Sequence, residues 1–281
     1  MEWRVLRVAV PPATAGPPAD FLLAEGAPGV VREVEGMTPD RVVVEAHVPA
    51  STHARVAAAL AGYLAGTGDA DIESAPLADV DWEAVFRRHH RPVLVGRRLA
   101  IAPPWDVPDV GGREVIVIEP GQAFGTGQHA TTRMCLEEIE SEVAAGRVVS
   151  ALDVGTGSGL LSAALARLGV PHVVALDVDP EVLPRARANL DRNGARDVHL
   201  VCGRADACRG RFDLVVANLL ADALVQDAAA LAAATAREGH LVVSGLLDTQ
   251  VETVTAAFPA WRRVGVRAED HWRTLTLARA A

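Results

Sequence analysis

The run Ala151-Leu152-Asp153-Val154-Gly155-Thr156-Gly157-Ser158-Gly159-Leu160-Leu161 limits this chain more than any other stretch. Val148, Val149, Ala151, Leu152 and Val154 read as a buried strand, stopped by three glycines on alternate positions. Beyond them Leu160, Leu161, Ala164, Leu165 and Leu168 recur at helical spacing. A buried strand, a tight glycine turn and a helix open a βαβ unit. Glycine lets the backbone pass close to a ligand, and the start of the helix offers free N–H groups to it. The next apolar run, 172–176, ends in Asp177, where an acid can bind ribose hydroxyls. The dinucleotide fingerprint needs a glycine where Leu160 stands, which disfavours an NAD-dependent dehydrogenase.

After this turn, strand candidates at 173–176, 198–201, 212–217 and 240–244 alternate with helix candidates at 180–193, 221–237 and 248–258. That order predicts an α/β fold with a parallel sheet covered on both faces. Two further strands, 262–266 and 274–278, predict an antiparallel C-terminal hairpin. The front of the chain reads differently. Strands at 3–10, 30–34, 41–48 and 71–77, with helices at 19–27 and from an expected cap at Ser51 to Leu64, give the order βαββαβ. This is a small α+β domain of ferredoxin-like type, a fold that names no function. The expected organisation is a ferredoxin-like domain over 1–77, a connector over 78–108 and an α/β domain over 109–281. The connector carries an expected helix at 81–86 and the group Arg87-Arg88-His89-His90-Arg91, read as a solvated face ahead of a substrate contact.

The loop Glu119-Pro120-Gly121-Gln122-Ala123-Phe124-Gly125-Thr126-Gly127-Gln128-His129-Ala130-Thr131-Thr132 ends in threonines suited to cap a helix over 132–145. Long irregular loops on compact domains are often functional, and this one is expected to lie as a lid over the ligand. A formal net charge of −9 argues against a nucleic-acid footprint. Cys135, Cys202 and Cys208 have no metal-ligand spacing and read as reduced thiols. With no membrane-length apolar run and no signal segment, the expectation is a soluble cytoplasmic protein.

Together these stretches resemble the ribosomal-protein L-eleven methyltransferases (PrmA family) over almost the full length. The resemblance is carried by Asp81-Trp82, Pro104-Trp105, the loop from Pro120 to Thr132, Asp153 to Gly159, Asp177-Val178-Asp179-Pro180, Ala217-Asn218-Leu219 and Ser244-Gly245-Leu246. The loop is the most diagnostic part, since many unrelated methyltransferases share the glycine turn.

The resemblance implies a class I methyltransferase domain behind a domain that docks the ribosomal protein. It also implies S-adenosyl-L-methionine as cofactor and N-methylation of lysine side chains and the N-terminal amine; the expectation is a monomer, and the chemistry and the residue spacings call for no metal. By carry-over Thr132, Gly155, Gly157, Asp177 and Asn218 contact the cofactor, and Phe124 and His129 lie beside its reacting end. Asn218, closing an apolar run, can turn its carbonyl to the acceptor amine, or it is a turn residue at a strand end. Leu219-Leu220 follow it in place of the Pro-Pro-aromatic of glutamine-directed enzymes. His129 reads as a proton acceptor or orienter, or as polar surface. The alternatives are a lysine methyltransferase of another protein and a cofactor-binding ribosomal docking module without transfer.

Overall fold

The computed structural model describes residues 3–10, 18, 21, 22, 25, 30–33, 42–64, 71–76, 87, 90–120 and 127–280. The chain divides into two compact units, Met1–Val85 and Phe86–Ala281. In the first, β1 (Trp3–Val10), β2 (Val30–Glu33), β3 (Val42–Pro49) and β4 (Asp71–Pro76) form one sheet in the order β2-β3-β1-β4. All its neighbours are antiparallel, the arrangement of a split βαβ domain. Alternate residues of a strand share a face, so Leu6, Val8 and Val10 join Val44, Ala46 and Val48 in the core. Helix α1 (Ala50–Leu64) adds Val56, Leu60 and Leu64, four residues apart along one stripe. It begins one residue before the expected cap, so Ser51 lies inside its first turn. Of the helix expected at 19–27, Phe21 and Leu22 are described as helical, and Leu22 is buried. The helix expected at 81–86 lies outside the described residues.

The second unit holds a seven-stranded sheet in the order β10-β9-β8-β11-β12-β14-β13. Its strands are β8 (Ser150–Val154), β9 (His172–Asp177), β10 (His199–Cys202), β11 (Phe212–Asn218), β12 (Thr235–Leu247), β13 (Trp261–Glu269) and β14 (Trp272–Arg279). Strands β8 to β12 pair in parallel, and β14 and β13 close the sheet antiparallel, as expected. Successive residues serve opposite faces, which is why the strands read as unbroken apolar runs. Ala151, Leu214 and Val216 meet Leu136, Ile139, Leu160 and Leu165, from α2 (Ala130–Ala144) and α3 (Leu160–Arg167). Leu152, Val215 and Ala217 meet Leu224 and Leu231 of α5 (Ala221–Ala234) and Val254 of α6 (Val251–Ala256).

Three differences from expectation have local causes. The connector holds two short strands not expected from pattern, β5 (Val93–Val95) and β6 (Leu99–Ala102); β5 pairs with β6, and β6 with β7 (Glu114–Val117), in a separate sheet. They are too brief to show a period. Helix α5 stops at Ala234 rather than 237, where Thr235 takes an extended backbone, its hydroxyl donating to the Leu231 carbonyl at 2.8 Å, and opens β12. And β12 runs for 13 residues, with a register shift between Ser244 and Leu246. Among the described residues no helix is long and apolar enough to cross a membrane.

Helix α4 (Leu183–Arg192) ties the start of the long loop to the glycine turn. Asn189 and Asn193, four apart and both buried, face the same way. Asn193 binds Val117 twice, accepting from its N–H at 2.7 Å and donating to its carbonyl at 2.7 Å. Asn189 accepts from the Glu119 N–H at 3.1 Å and donates to the Ser158 carbonyl at 2.9 Å. Replacing Asn193 with Ala leaves both Val117 groups without their partner. Orphaned polar groups cost about 1–3 kcal/mol each, so urea unfolding should show Asn193→Ala destabilised by at least about 2 kcal/mol. A variant within about 0.5 kcal/mol of wild type would deny that clasp its role.

Candidate active site

Strand β8 stops where the backbone must reverse. The Gly155 and Thr156 N–H groups both donate to the Leu176 carbonyl at 2.9 Å, bending the chain over the end of β9. Gly155 holds a φ of +76°, open to glycine and strained for other residues. The Gly157 N–H donates to Asp177 Oδ2 at 2.9 Å, and the Asp179 N–H to Oδ1 at 3.0 Å. Each carboxylate oxygen keeps a further lone pair for a hydroxyl donor. Gly159 caps α3 with no side-chain hydrogen bond, leaving the helix start to the turn itself.

Asp153 supports this turn from below. It is fully buried, and its Oδ2 accepts from the Thr156 hydroxyl at 2.8 Å and the Ser162 hydroxyl at 2.7 Å. Oδ1 has no hydrogen-bond partner among the described residues. Burial pushes the carboxyl up from 3.8 to about 6, against the pull of those hydroxyls.

The other end of the cleft is built at the start of α2. His129 is the N-cap, with Nδ1 accepting from the Thr131 N–H at 3.3 Å, so the expected threonine cap is replaced by histidine and the helix opens at Ala130 rather than 132. The Thr131 hydroxyl lies 2.8 Å from the same Nδ1. Asn218, the last residue of β11, donates from Nδ2 to Thr131 Oγ1 at 3.3 Å and to Thr132 Oγ1 at 3.5 Å. Burial, reinforced by the Arg133 guanidinium, lowers the His129 pKa below 6.5 and keeps the ring neutral at pH 7. Trp272 meets that ring edge to face, with centroids 5.0 Å apart. Behind them Ser244 donates to the Thr131 carbonyl at 3.2 Å and shares a 2.6 Å hydrogen bond with Thr274. Gly245 has to be glycine: a Cβ there would lie 2.2 Å from the Leu219 carbonyl oxygen.

The two ends enclose one cleft of about 600 Å³. Gly155, Gly157 and Asp177 line one part, and His129, Thr132 and Asn218 line the other. Phe124 lies outside the described residues, as do all of 121–126. Trp272 and Gly245 also line the cleft, as does Thr131, for which the sequence suggests only a capping role. Gly245 carried a signal, a glycine just after an apolar run. Trp272 carried none, because only the hairpin brings it next to His129.

The Asp153 shift predicts a pH signature. Its native pKa lies above the unfolded value, so protonation stabilises the fold. That stability is complete below about pH 4 and is lost as pH rises through about 6. Asp153→Asn keeps an uncharged acceptor and removes this dependence. Urea midpoints should show the variant gaining on wild type from about pH 4 to about pH 6.5, on the order of 1–3 kcal/mol, and level above that. A difference that does not vary with pH would place the Asp153 titration elsewhere.

The family profile described as "Ribosomal protein L11 methyltransferase (PrmA)" matches residues 2–280. A ribosomal protein L11 methyltransferase of Pelotomaculum thermopropionicum is 36% identical over 99% of this chain and 98% of its own length. One from Geobacter sulfurreducens is 42% identical over 71% of this chain and 66% of that protein. Among solved structures, the ribosomal protein L11 methylase of Lactobacillus delbrueckii subsp. bulgaricus superposes with a TM-score of 0.64 at 31% identity, covering 68% of this chain and 100% of that one. The sheet order, glycine turn and full-length match agree, and the chain belongs to the ribosomal protein L11 methyltransferase family.

Proposed function

We propose that this chain transfers methyl groups from S-adenosylmethionine to lysine side chains and the N-terminal amine of the large-subunit ribosomal protein L11. The observation that carries this reading is the cleft in which the glycine turn and the Asp177 carboxylate face a neutral Asn–Thr–His cluster. The cleft suits the cofactor by size and by donor chemistry: it is large enough for a nucleoside with an amino-acid tail, and Asp177 offers acceptors to a ribose diol. Bound there, S-adenosylmethionine supplies an electrophilic methyl on a sulfonium.

Gly155 and Gly157 let the backbone approach the ligand, Thr132 is assigned as a cofactor contact and Phe124 to a place beside the reacting end. Asn218 Oδ1 accepts a hydrogen bond from the incoming amine and aims its lone pair. An uncharged acceptor is essential here. A lysine amine has a pKa near roughly 10.4 and an α-amine near roughly 8, so the reactive neutral form must not be disfavoured. A carboxylate at 218 would hold the ammonium, whereas an amide does not. His129, neutral and beside Trp272, orients the acceptor at the mouth. The first unit docks the ribosomal protein, and binding energy gathered away from the reacting atoms positions the amine.

Purified protein incubated with labelled S-adenosylmethionine and unmodified large-subunit proteins should label L11, identified by mass. A different labelled band would reassign the substrate. With the same assay Asn218→Ala should lower kcat by roughly one to three decades, the effect of losing a positioning bond of about 1.5–4 kcal/mol in the transition state. Turnover near wild type at saturating cofactor would remove Asn218 from that role.

A further inference from the structure

The Thr131 hydroxyl stands between the two side chains placed at the reacting end. We propose that Thr131 is a positioning residue that sets which way the Asn218 amide faces, passing the geometry of the α2 N-cap to the acceptor site. This deepens the reading of Asn218 given above and rests on it.

Each step follows from counting protons. The Thr131 N–H belongs to the first turn of α2 and donates to His129 Nδ1 at 3.3 Å. A ring nitrogen that accepts an N–H carries no proton, so the neutral ring is protonated at Nε2. Thr131 Oγ1 lies 2.8 Å from that same Nδ1, and the hydroxyl must supply the proton between them. A hydroxyl has one proton to give. Toward Asn218, 3.3 Å away, Oγ1 can therefore act as an acceptor alone. Asn218 has to present Nδ2, and Thr132 Oγ1 accepts from it as well at 3.5 Å. The carbonyl Oδ1 is left on the opposite side, next to Gly245. The reversed amide would set Oδ1 against an oxygen with no proton between them.

Thr131 is 1% exposed, so water has no room to replace its hydroxyl. The Ser244–Thr274 pair holds its carbonyl and fixes the residue from behind. Thr131 need not touch the substrate; it acts through Asn218.

The test uses the full chain with Thr131→Val, nearly isosteric but lacking the hydroxyl, and Thr131→Ser, which keeps it. Methyl transfer to unmodified L11 is measured for both, alone and with Asn218→Ala. Losing one hydrogen bond that orients a reacting group should cost Thr131→Val about 10–100-fold in kcat, with cofactor KM within about threefold. Thr131→Ser should recover to within about threefold of wild type. In the Asn218→Ala background Thr131→Val should add less than about twofold, since both changes remove one interaction. Nitrogen-15 spectra of wild type should show His129 protonated at Nε2, and the Asn218 amide protons should exchange slowly in wild type and Thr131→Ser but not in Thr131→Val. Full turnover by Thr131→Val, a Ser variant as slow as Val, a fully additive penalty or a proton on His129 Nδ1 would each overturn the proposal. A wild-type protein that methylates nothing would sink the functional reading alone, and the spectra would still decide the relay.

Discussion

The arrangement depends on one constraint, the divergence of two parallel neighbours, β8 and β11. After β8 the chain crosses by α3 to β9 on one side, and after β11 it crosses by α5 to β12 on the other. Crossover helices on opposite faces cannot close over the ends of the two strands, so a crevice opens there. Parallel pairing then sets the C-terminal ends of β8 to β12 along the same edge. Gly155, Asp177, Asn218 and Ser244, scattered over ninety positions of sequence, all emerge beside it. The apolar runs bury both faces of the sheet, and that burial holds the edge in place.

Once the crevice exists, its two ends carry different chemistry. The glycine turn brings backbone N–H groups and the end of β9 a carboxylate to one end, and an acid beneath the turn is kept at a folding cost by two hydroxyls. The start of α2 brings hydroxyls and a neutral imidazole to the other and the end of β11 brings an amide, with no carboxylate hydrogen-bonded to Asn218 among the described residues. That division suits a reaction in which one partner is held by charge and the other has to arrive uncharged. Leu219 joins the two ends: its side chain lies over Gly155, and its backbone crosses Gly245.

The sequence was most legible where local pattern and tertiary role coincide. The run from Ala151 to Leu161 gave strand, turn and helix in the right places because steric limits on the turn admit little but glycine. Alternation of apolar runs and helical stripes gave the parallel sheet, and two short runs gave its antiparallel close. Boundaries were less legible, since alanine carries α5 equally well to 234 or 237 and only Thr235 decides. The N-cap at His129 is hidden from sequence pattern because two threonines nearby are better caps by propensity. Thr131 and Trp272 could not be found from pattern, because their importance comes from contacts across 87 and 143 positions of sequence.

The crevice at the β8–β11 divergence is proposed to hold S-adenosylmethionine through Asp177. Titration calorimetry of S-adenosylmethionine into the folded full chain, with wild type beside Asp177→Ala, tests this most directly. Hydrogen bonds to a charged carboxylate are worth about 1.5–3 kcal/mol each, so the variant should bind roughly tenfold more weakly or worse. Equal affinities in two equally folded proteins would put the cofactor elsewhere.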